Sequence, residues 1–232
     1  MAFLADLFQF FFPRTCAVCG RRLTPAEGGL LCAACQLSFP YARPPYVPGS
    51  QLERRFWGKM PVVRAAALFR YHGGSDSAAP VLRLKYAHRP DLGYQMGRQL
   101  ARQLLTTDFF SDIDVIVPVP LARVRQFVRG YNQSVAIARG LGDVAGLPVE
   151  TRAVRRTVNN PSQTKYAAHR RAENVEGIFR VVRPRAVAGR HILLVDDVAT
   201  TGATLASCGA ELARQPGVRI SVAVLGDAGG RR

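Results

Sequence analysis

The segment His191-Ile192-Leu193-Leu194-Val195-Asp196-Asp197-Val198-Ala199-Thr200-Thr201-Gly202-Ala203-Thr204 constrains this chain more tightly than any other. Ile192 to Val195 is an uninterrupted apolar run, suited to a strand buried on both faces as in a parallel sheet. A glycine-containing turn and a helix from Gly202 to Arg214 follow, so a strand passes directly into a helix. The same alternation recurs along the chain. Val62–Tyr71 reads as a strand and Ala78–Tyr86 as a short helix, while Asp91–Leu105 carries Leu92, Met96, Leu100 and Leu104 at helical spacing. Ile113–Val119 is a second near-continuous apolar strand. A helix over Asn132–Val144 stops near Gly146 and Pro148, and Val218–Leu225 reads as the last strand. Strands alternating with helices predict an α/β fold, a mostly parallel sheet with helices on both faces. Ligands of such sheets bind beyond the carboxyl ends of the strands. Residues 159–174 are polar, basic and aperiodic, a long loop of the kind that is usually a functional lid or disordered.

The 232 residues suffice for one sizeable core and a small appendage, and a hydrophobic share of 48% argues against disorder. Pattern divides the chain into an N-terminal helix and four-cysteine element over 1–40, a Pro-rich linker over 41–61 and the α/β domain over 62–232. The linker assignment rests on Pro40, Pro44, Pro45, Pro48 and Gly49, which break helices. The apolar start from Phe3 to Phe12 is too short and interrupted to span a bilayer, and it lacks the flanks of a secretory signal. It suits a short amphipathic helix, with attachment to a membrane surface as the alternative. No later stretch approaches the roughly 20 apolar residues of a membrane helix, so no membrane span and a cytoplasmic location are expected.

Cys16-x2-Cys19 and Cys32-x2-Cys35 are two CxxC pairs separated by twelve residues. Each pair can place two thiolates on one ion, and two pairs complete a tetrahedral, all-thiolate structural Zn2+ site with no open position for catalysis. A segment this short has too little core to fold alone, so the metal would supply its folding energy. Two disulfides or unrelated thiols are the alternative, and disulfides are disfavoured in a reducing compartment. Cys208 reads as a buried small side chain.

Asp196 and Asp197, at the carboxyl end of their strand, are placed to face the ligand crevice, where carboxylates accept hydrogen bonds from ribose hydroxyls. The turn adds backbone N–H groups, the hydroxyls of Thr200, Thr201 and Thr204, and the positive end of a helix, together a cradle for an anion. Gly202 allows backbone to approach a phosphate closely. Singly, these residues are ordinary helix caps; their ordered combination favours the phosphate reading. The run resembles that of the type I phosphoribosyltransferases. The resemblance implies that Asp196 and Asp197 hold the ribose hydroxyls of phosphoribosyl diphosphate, and that Thr200, Thr201, Gly202, Ala203 and Thr204 hold its 5-phosphate. Further segments recur in this order in ComF-type proteins: Leu84-Lys85-Tyr86, Pro118-Val119-Pro120-Leu121, Arg129-Gly130-Tyr131-Asn132-Gln133, Gln163 and Arg171-Ala172-Glu173-Asn174-Val175. Those proteins also bear an N-terminal four-cysteine element. The chain is identified as a member of the ComF family, similar to competence proteins that handle incoming single-stranded DNA and to their GntX-like relatives.

The resemblance implies a type I phosphoribosyltransferase-like fold with a small zinc-ribbon-like element at its N-terminus. It implies Mg2+ bound with phosphoribosyl diphosphate, and as partners that ligand or a nucleotide, single-stranded DNA and proteins of the DNA-uptake machinery. Pro120, Leu121 and Ala122 would line the diphosphate by backbone contact, and Arg125 and Arg129 can grip phosphate with two parallel hydrogen bonds. A rigid proline turn and, at Asn132, a helix cap remain open as structural readings. The loop around Gln163, Lys165, Arg170, Arg171 and Asn174 resembles the catalytic lid of these enzymes, which makes Lys165 and Arg171 candidate catalytic residues beside Asp196 and Asp197. A solvated charged face is the alternative there. Only Gly226–Arg232 follow the last strand, little for the base-reading hood that terminal segments build in many such enzymes; the four-cysteine element is the other candidate for it.

Net charge is +16, and Leu121 to Arg190 alone holds fourteen Arg or Lys against four Asp or Glu. That field attracts phosphorylated small molecules or a nucleic-acid backbone, although a proteome rich in Arg would give the same total. Phe127, Tyr131 and Tyr166 are interleaved with the charge and can stack bases or pack internally. Two functions stand side by side: a binding protein that holds phosphoribosyl diphosphate and handles single-stranded DNA, and an active phosphoribosyltransferase acting on a base or amine.

Overall fold

The computed structural model describes residues 14–157 and 177–229. The apolar N-terminal stretch and the polar loop with Gln163, Lys165, Tyr166, Arg170, Arg171 and Asn174 lie outside the described residues. In chain order the elements are α1 (Ala33–Ser38), α2 (Gln51–Arg54), β1 (Val62–Arg70), α3 (Ala79–Tyr86), α4 (Pro90–Leu104) and β2 (Val115–Pro118). There follow α5 (Arg123–Arg129), α6 (Gln133–Ala145), β3 (Val154–Arg156), β4 (Phe179–Val181), β5 (His191–Ala199), α7 (Ala203–Ala213) and β6 (Arg219–Asp227).

The main sheet has the order β1-β6-β5-β2, and every pairing in it is parallel. Side chains of β5 alternate between the two faces. Leu193 and Val195 join one core with α4 and α6 through Leu92, Met96, Leu100, Ile137 and Leu141. Ile192 and Leu194 join the other with α7 through Leu205, Cys208 and Leu212. Helices therefore cover both faces, as the apolar runs require, since a strand apolar on both sides is stable only when both sides are dry. On the first face α4 and α6 cross with almost no gap: a Cβ on Gly97 would lie 2.2 Å from the Ile137 carbonyl oxygen, and one on Gly140 would lie 1.9 Å from that of Tyr94.

Most expected elements are present, and the differences concern polar segments. β5 does not stop at Val195 but runs on through Asp196 and Asp197 to Ala199, because β6 continues beside it, pairing Val198 with Gly226 and Ala199 with Asp227. Residues 123–129, given no element by the sequence pattern, form α5, a helix with no buried side chain that ends at Gly130 with φ +72°. β3 and β4 form a short antiparallel pair that no apolar run announces. Residues 41–61 are not merely extended. Tyr41 and Tyr46 make isolated antiparallel bridges to Phe69 and Ala66 of β1, and the segment then folds into α2. The cysteine-bearing segment shares the first core: Cys16, Ala17, Val18, Leu31 and Cys32 are buried in the same cluster as Leu68 and Phe69.

Among the described residues no helix is long and apolar enough to cross a membrane.

Candidate functional site

Because every strand of the main sheet is parallel, all carboxyl ends lie at one edge, where a cleft of about 280 Å³ opens. Of the residues proposed from sequence, Asp196, Asp197, Thr200, Thr204, Pro120, Leu121, Arg125 and Arg129 line it together. Thr201, Gly202 and Ala203 form the back of the bend rather than the wall, and Ala122 is buried beside the cleft without lining it. Lys165 and Arg171 fall outside the described residues.

The carboxylate pair is held by the first turn of α6. Ser134 Oγ donates to Asp196 Oδ1 at 2.9 Å, and Gln133 Nε2 donates to Asp197 Oδ2 at 3.2 Å. Lys85 Nζ reaches the same Asp197 oxygen at 3.0 Å. Burial, and secondarily the charge of Asp197, push the Asp196 carboxyl up to about 7, so it holds its proton far above the ordinary carboxylate range. Separate sequence segments meet at this point. Tyr131 donates to the Leu84 carbonyl, and Asn132 caps α6 by accepting from Ser134 N while donating to the Val119 carbonyl, both at 3.0 Å. The cap thereby fastens α6 to the proline turn.

The bend is open to an incoming anion. Thr200, Thr201, Ala203 and Thr204 are exposed. Ala203 N–H turns inward to Thr201 Oγ1 at 3.3 Å, while the amides of Thr200, Thr201 and Gly202 meet no acceptor among the described residues. Gly202 takes φ +75°, and a Cβ on it would press to 2.9 Å from Phe56 Cε1. Glycine is needed there for both conformation and space.

Three cations face the carboxylates. Arg125, Arg129 and Arg156 line the cleft without forming ion pairs among the described residues. Burial, and next the charge of Arg125, lower the Arg156 guanidinium from its ordinary value. Buried atoms of Arg129, Arg156 and Gln133 (Gln133 through its Oε1) have no hydrogen-bond partner among the described residues. Buried polar groups are nearly always satisfied, and when left open they commonly mark a place for water, ion or ligand.

Sequence reasoning missed five contributors, Ser134 beside Asp196 among them. Lys85 and Gln133 lie in segments that resemble the family, but nothing in their spacing assigned them to Asp197. Arg156 is one arginine in a basic stretch, and only the β3–β4 pairing brings it to the cleft. Arg55, inside the proposed linker, donates to the Ala199 carbonyl at 2.8 Å and pairs with Asp227 at 2.7 Å, bracing the bend from behind.

The four cysteines converge as their spacing requires. The Sγ atoms of Cys16, Cys19, Cys32 and Cys35 all lie within 4.8 Å of one another, and Cys19 and Cys32 are 3.8 Å apart. Zn–S bonds of about 2.3 Å in a tetrahedron put sulfurs about 3.8 Å apart, so the set fits structural zinc. Cys32 N–H points at Cys16 Sγ at 3.4 Å, and burial raises the Cys35 thiol while backbone hydrogen bonding lowers that of Cys32. Glu27 closes the loop by accepting from Thr24 N, Ala33 N and Arg21.

Fold and cleft together define an α/β protein with a parallel sheet, an open cleft at its carboxyl edge and a four-cysteine element near its N-terminus. The chain is 32% identical over 155 residues to the DNA utilization protein YhgH of Escherichia coli strain K12, covering 64% of this chain and 67% of that one. It is 29% identical to Competence protein F of Haemophilus influenzae, covering 84% of this chain and 89% of that one. The chain belongs to the ComF family. No protein-family profile matches it. Among solved structures it is similar to a glutamine phosphoribosylpyrophosphate amidotransferase from B. subtilis, at 19% identity and a TM-score of 0.41 over 61% of this chain and 30% of that one.

Proposed function

We propose that the cleft binds phosphoribosyl diphosphate or a nucleotide phosphate, and that the protein uses this site in handling single-stranded DNA during DNA uptake. One observation carries the reading. A carboxylate pair, an exposed bend and three arginines, the bend amides without acceptors and the arginines without ion-pair partners among the described residues, converge on one cleft at the carboxyl edge of a parallel sheet. In this assignment Asp196 and Asp197 hold the ribose hydroxyls. The Thr200–Thr204 bend takes the 5-phosphate through its amides and hydroxyls. The turn of Pro120, Leu121 and Ala122, with Arg125 and Arg129, faces the diphosphate, and Lys165 and Arg171 belong to the lid. Magnesium bound with the ligand would neutralise part of the diphosphate charge, and Asp196 and Asp197 are the acidic residues lining the cleft that would serve it. The names of the E. coli and H. influenzae relatives, which refer to DNA utilization and competence, support the DNA role.

The open cations at the diphosphate end favour a second reading, transfer of phosphoribose to a base or amine, because a leaving diphosphate needs such stabilisation. Calorimetric titration with phosphoribosyl diphosphate tests the first reading. Asp196→Asn with Asp197→Asn should weaken binding about 100-fold, as expected for two lost charge-assisted contacts. An unaltered affinity refutes the site. Diphosphate release across a panel of bases and amines decides for the enzyme.

A further inference from the structure

A second cleft, of about 540 Å³, adjoins the first and differs from it in charge. Arg123, Arg152, Arg155, Arg156 and Arg183 line it, with Val154 and Val182 as apolar wall, and no Asp or Glu among the described residues does. Glu150 is the acid nearest this group, 3.8 Å from Arg183. Five guanidinium groups gathered around one concavity repel each other and focus a positive field outward, an arrangement suited to a chain of phosphates rather than to a single one.

The two clefts are neighbours with a common wall. Pro120, Leu121 and Arg156 line both. Helix α5 stands between them, turning Arg125 and Arg129 to the first and Arg123 and Gln126 to the second. On the same helix Phe127 is 90% exposed and Val124 is 61% exposed. The Phe127 ring lines neither cleft but stands exposed on the helix that borders both, and no ring contact among the described residues holds it. It suits stacking of an unpaired base, which a duplex keeps inside its own stack.

We infer that the arginine cleft seats the backbone of a single-stranded nucleic acid, with a base on Phe127, and that this strand and phosphoribosyl diphosphate exclude one another because both engage Arg156 and the 120–121 turn. The exclusion rests on the reading of the first cleft given above; the seating of the strand does not. Occupancy by the small ligand would thus regulate release of the strand.

The test uses the full, zinc-loaded chain and fluorescence anisotropy of a labelled oligo-dT strand. Replacing Arg152, Arg155 and Arg183 by Ala, all on the surface, should weaken oligonucleotide binding at least tenfold, with calorimetric affinity for phosphoribosyl diphosphate kept within twofold. Loss of three phosphate contacts should flatten the slope of log affinity against log salt by about 2, at roughly 0.7 per contact. Phe127→Ala should cost about five- to tenfold with the salt slope unchanged, the signature of lost stacking. Wild-type affinity and slope in the triple variant overturn the seating, and so does a duplex that binds as tightly as the single strand. An RNA strand binding as well as DNA supports it, since the contacts are to the backbone. Saturating phosphoribosyl diphosphate should displace the strand; a strand that stays bound overturns the exclusion alone. If phosphoribosyl diphosphate fails to bind the wild-type chain, the earlier reading and the exclusion fall together, and the triple variant still decides the seating.

Discussion

The two edges of the main sheet carry opposite electrostatic solutions. At the edge where the strands begin, Asp112 accepts from Arg64 and Arg219 and lies 3.3 Å from His191 Nδ1. His191 Nε2 meets Ser221 Oγ at 2.9 Å, and His191 N donates to Asp114 at 2.7 Å. Charge there is matched internally. At the edge where the strands end, Arg125, Arg129 and Arg156 face a cleft with no ion-pair partner among the described residues, and burial pushes the Asp196 carboxyl up to about 7. The same parallel topology gathers charged residues at both edges, so the difference is one of partners, not of architecture. A fold needs its charges answered from within; a binding site leaves some to be answered by what arrives.

Stripping the metal acts on the scaffold common to both edges and has the largest effect. The four-cysteine segment buries Cys16, Val18 and Leu31 against Leu68 and Phe69, so chelation uncovers one face of the sheet. Structural zinc in small domains is worth on the order of 10 kcal/mol, and a chelator should therefore unfold the chain or lower its Tm steeply, with about one zinc per chain released. A fully folded, metal-free preparation removes the four-thiolate site from the description.

Asp112→Ala attacks only the matched edge. It strands Arg64, whose side chain is 14% exposed, and His191 at 1%, while Asp112 itself is 33% exposed and partly screened. The expected loss is about 2 kcal/mol, or a Tm lower by about 4–8 °C, with phosphoribosyl diphosphate affinity unmoved. If ligand affinity falls instead, the edges are coupled and the contrast between them fails.

A third measurement separates the edges by the sign of their pH dependence. Hydrogen bonding from Arg64 holds the Asp112 carboxyl well below the usual range, so its contribution is present above the unfolded value near 4 and is lost on acidification. Asp196 behaves oppositely. Its native carboxyl keeps a proton to about 7, whereas the unfolded chain gives it up near 4, so raising the pH through that window costs stability. Asp196→Asn should gain on the wild type as pH rises from 5 to 8, and the gap should close toward pH 4. His191 titrates in both proteins and cancels from the difference. A pH-independent gap denies the raised carboxyl.

Much of this was legible in the residues, for reasons that also explain the omissions. Apolar runs report burial, so β1, β2, β5, β6 and the helices α3, α4, α6 and α7 were read with ends shifted by only a few residues. The Asp-Asp and Thr-Thr-Gly-Ala-Thr runs carry their chemistry in local order, and the CxxC spacing carries its geometry. α5 spans only seven residues and its apolar positions Val124, Phe127 and Val128 stay exposed, so no burial pattern betrays it, and three-residue strands such as β3 and β4 are too short for a period. Lys85, Arg156 and Arg55 act over long sequence separations, Arg55 reaching Asp227 across 172 positions, and no local pattern encodes such a meeting.

The contact of Phe56 with Gly202 has a practical corollary for anyone dissecting the chain. A fragment starting at Val62 would keep every acid and threonine of the cradle but discard Phe56, fully buried behind it, and Arg55, its tether to Ala199 and Asp227. Such a truncation would carry the right letters on a slackened frame, and its failure to bind would say nothing about the letters.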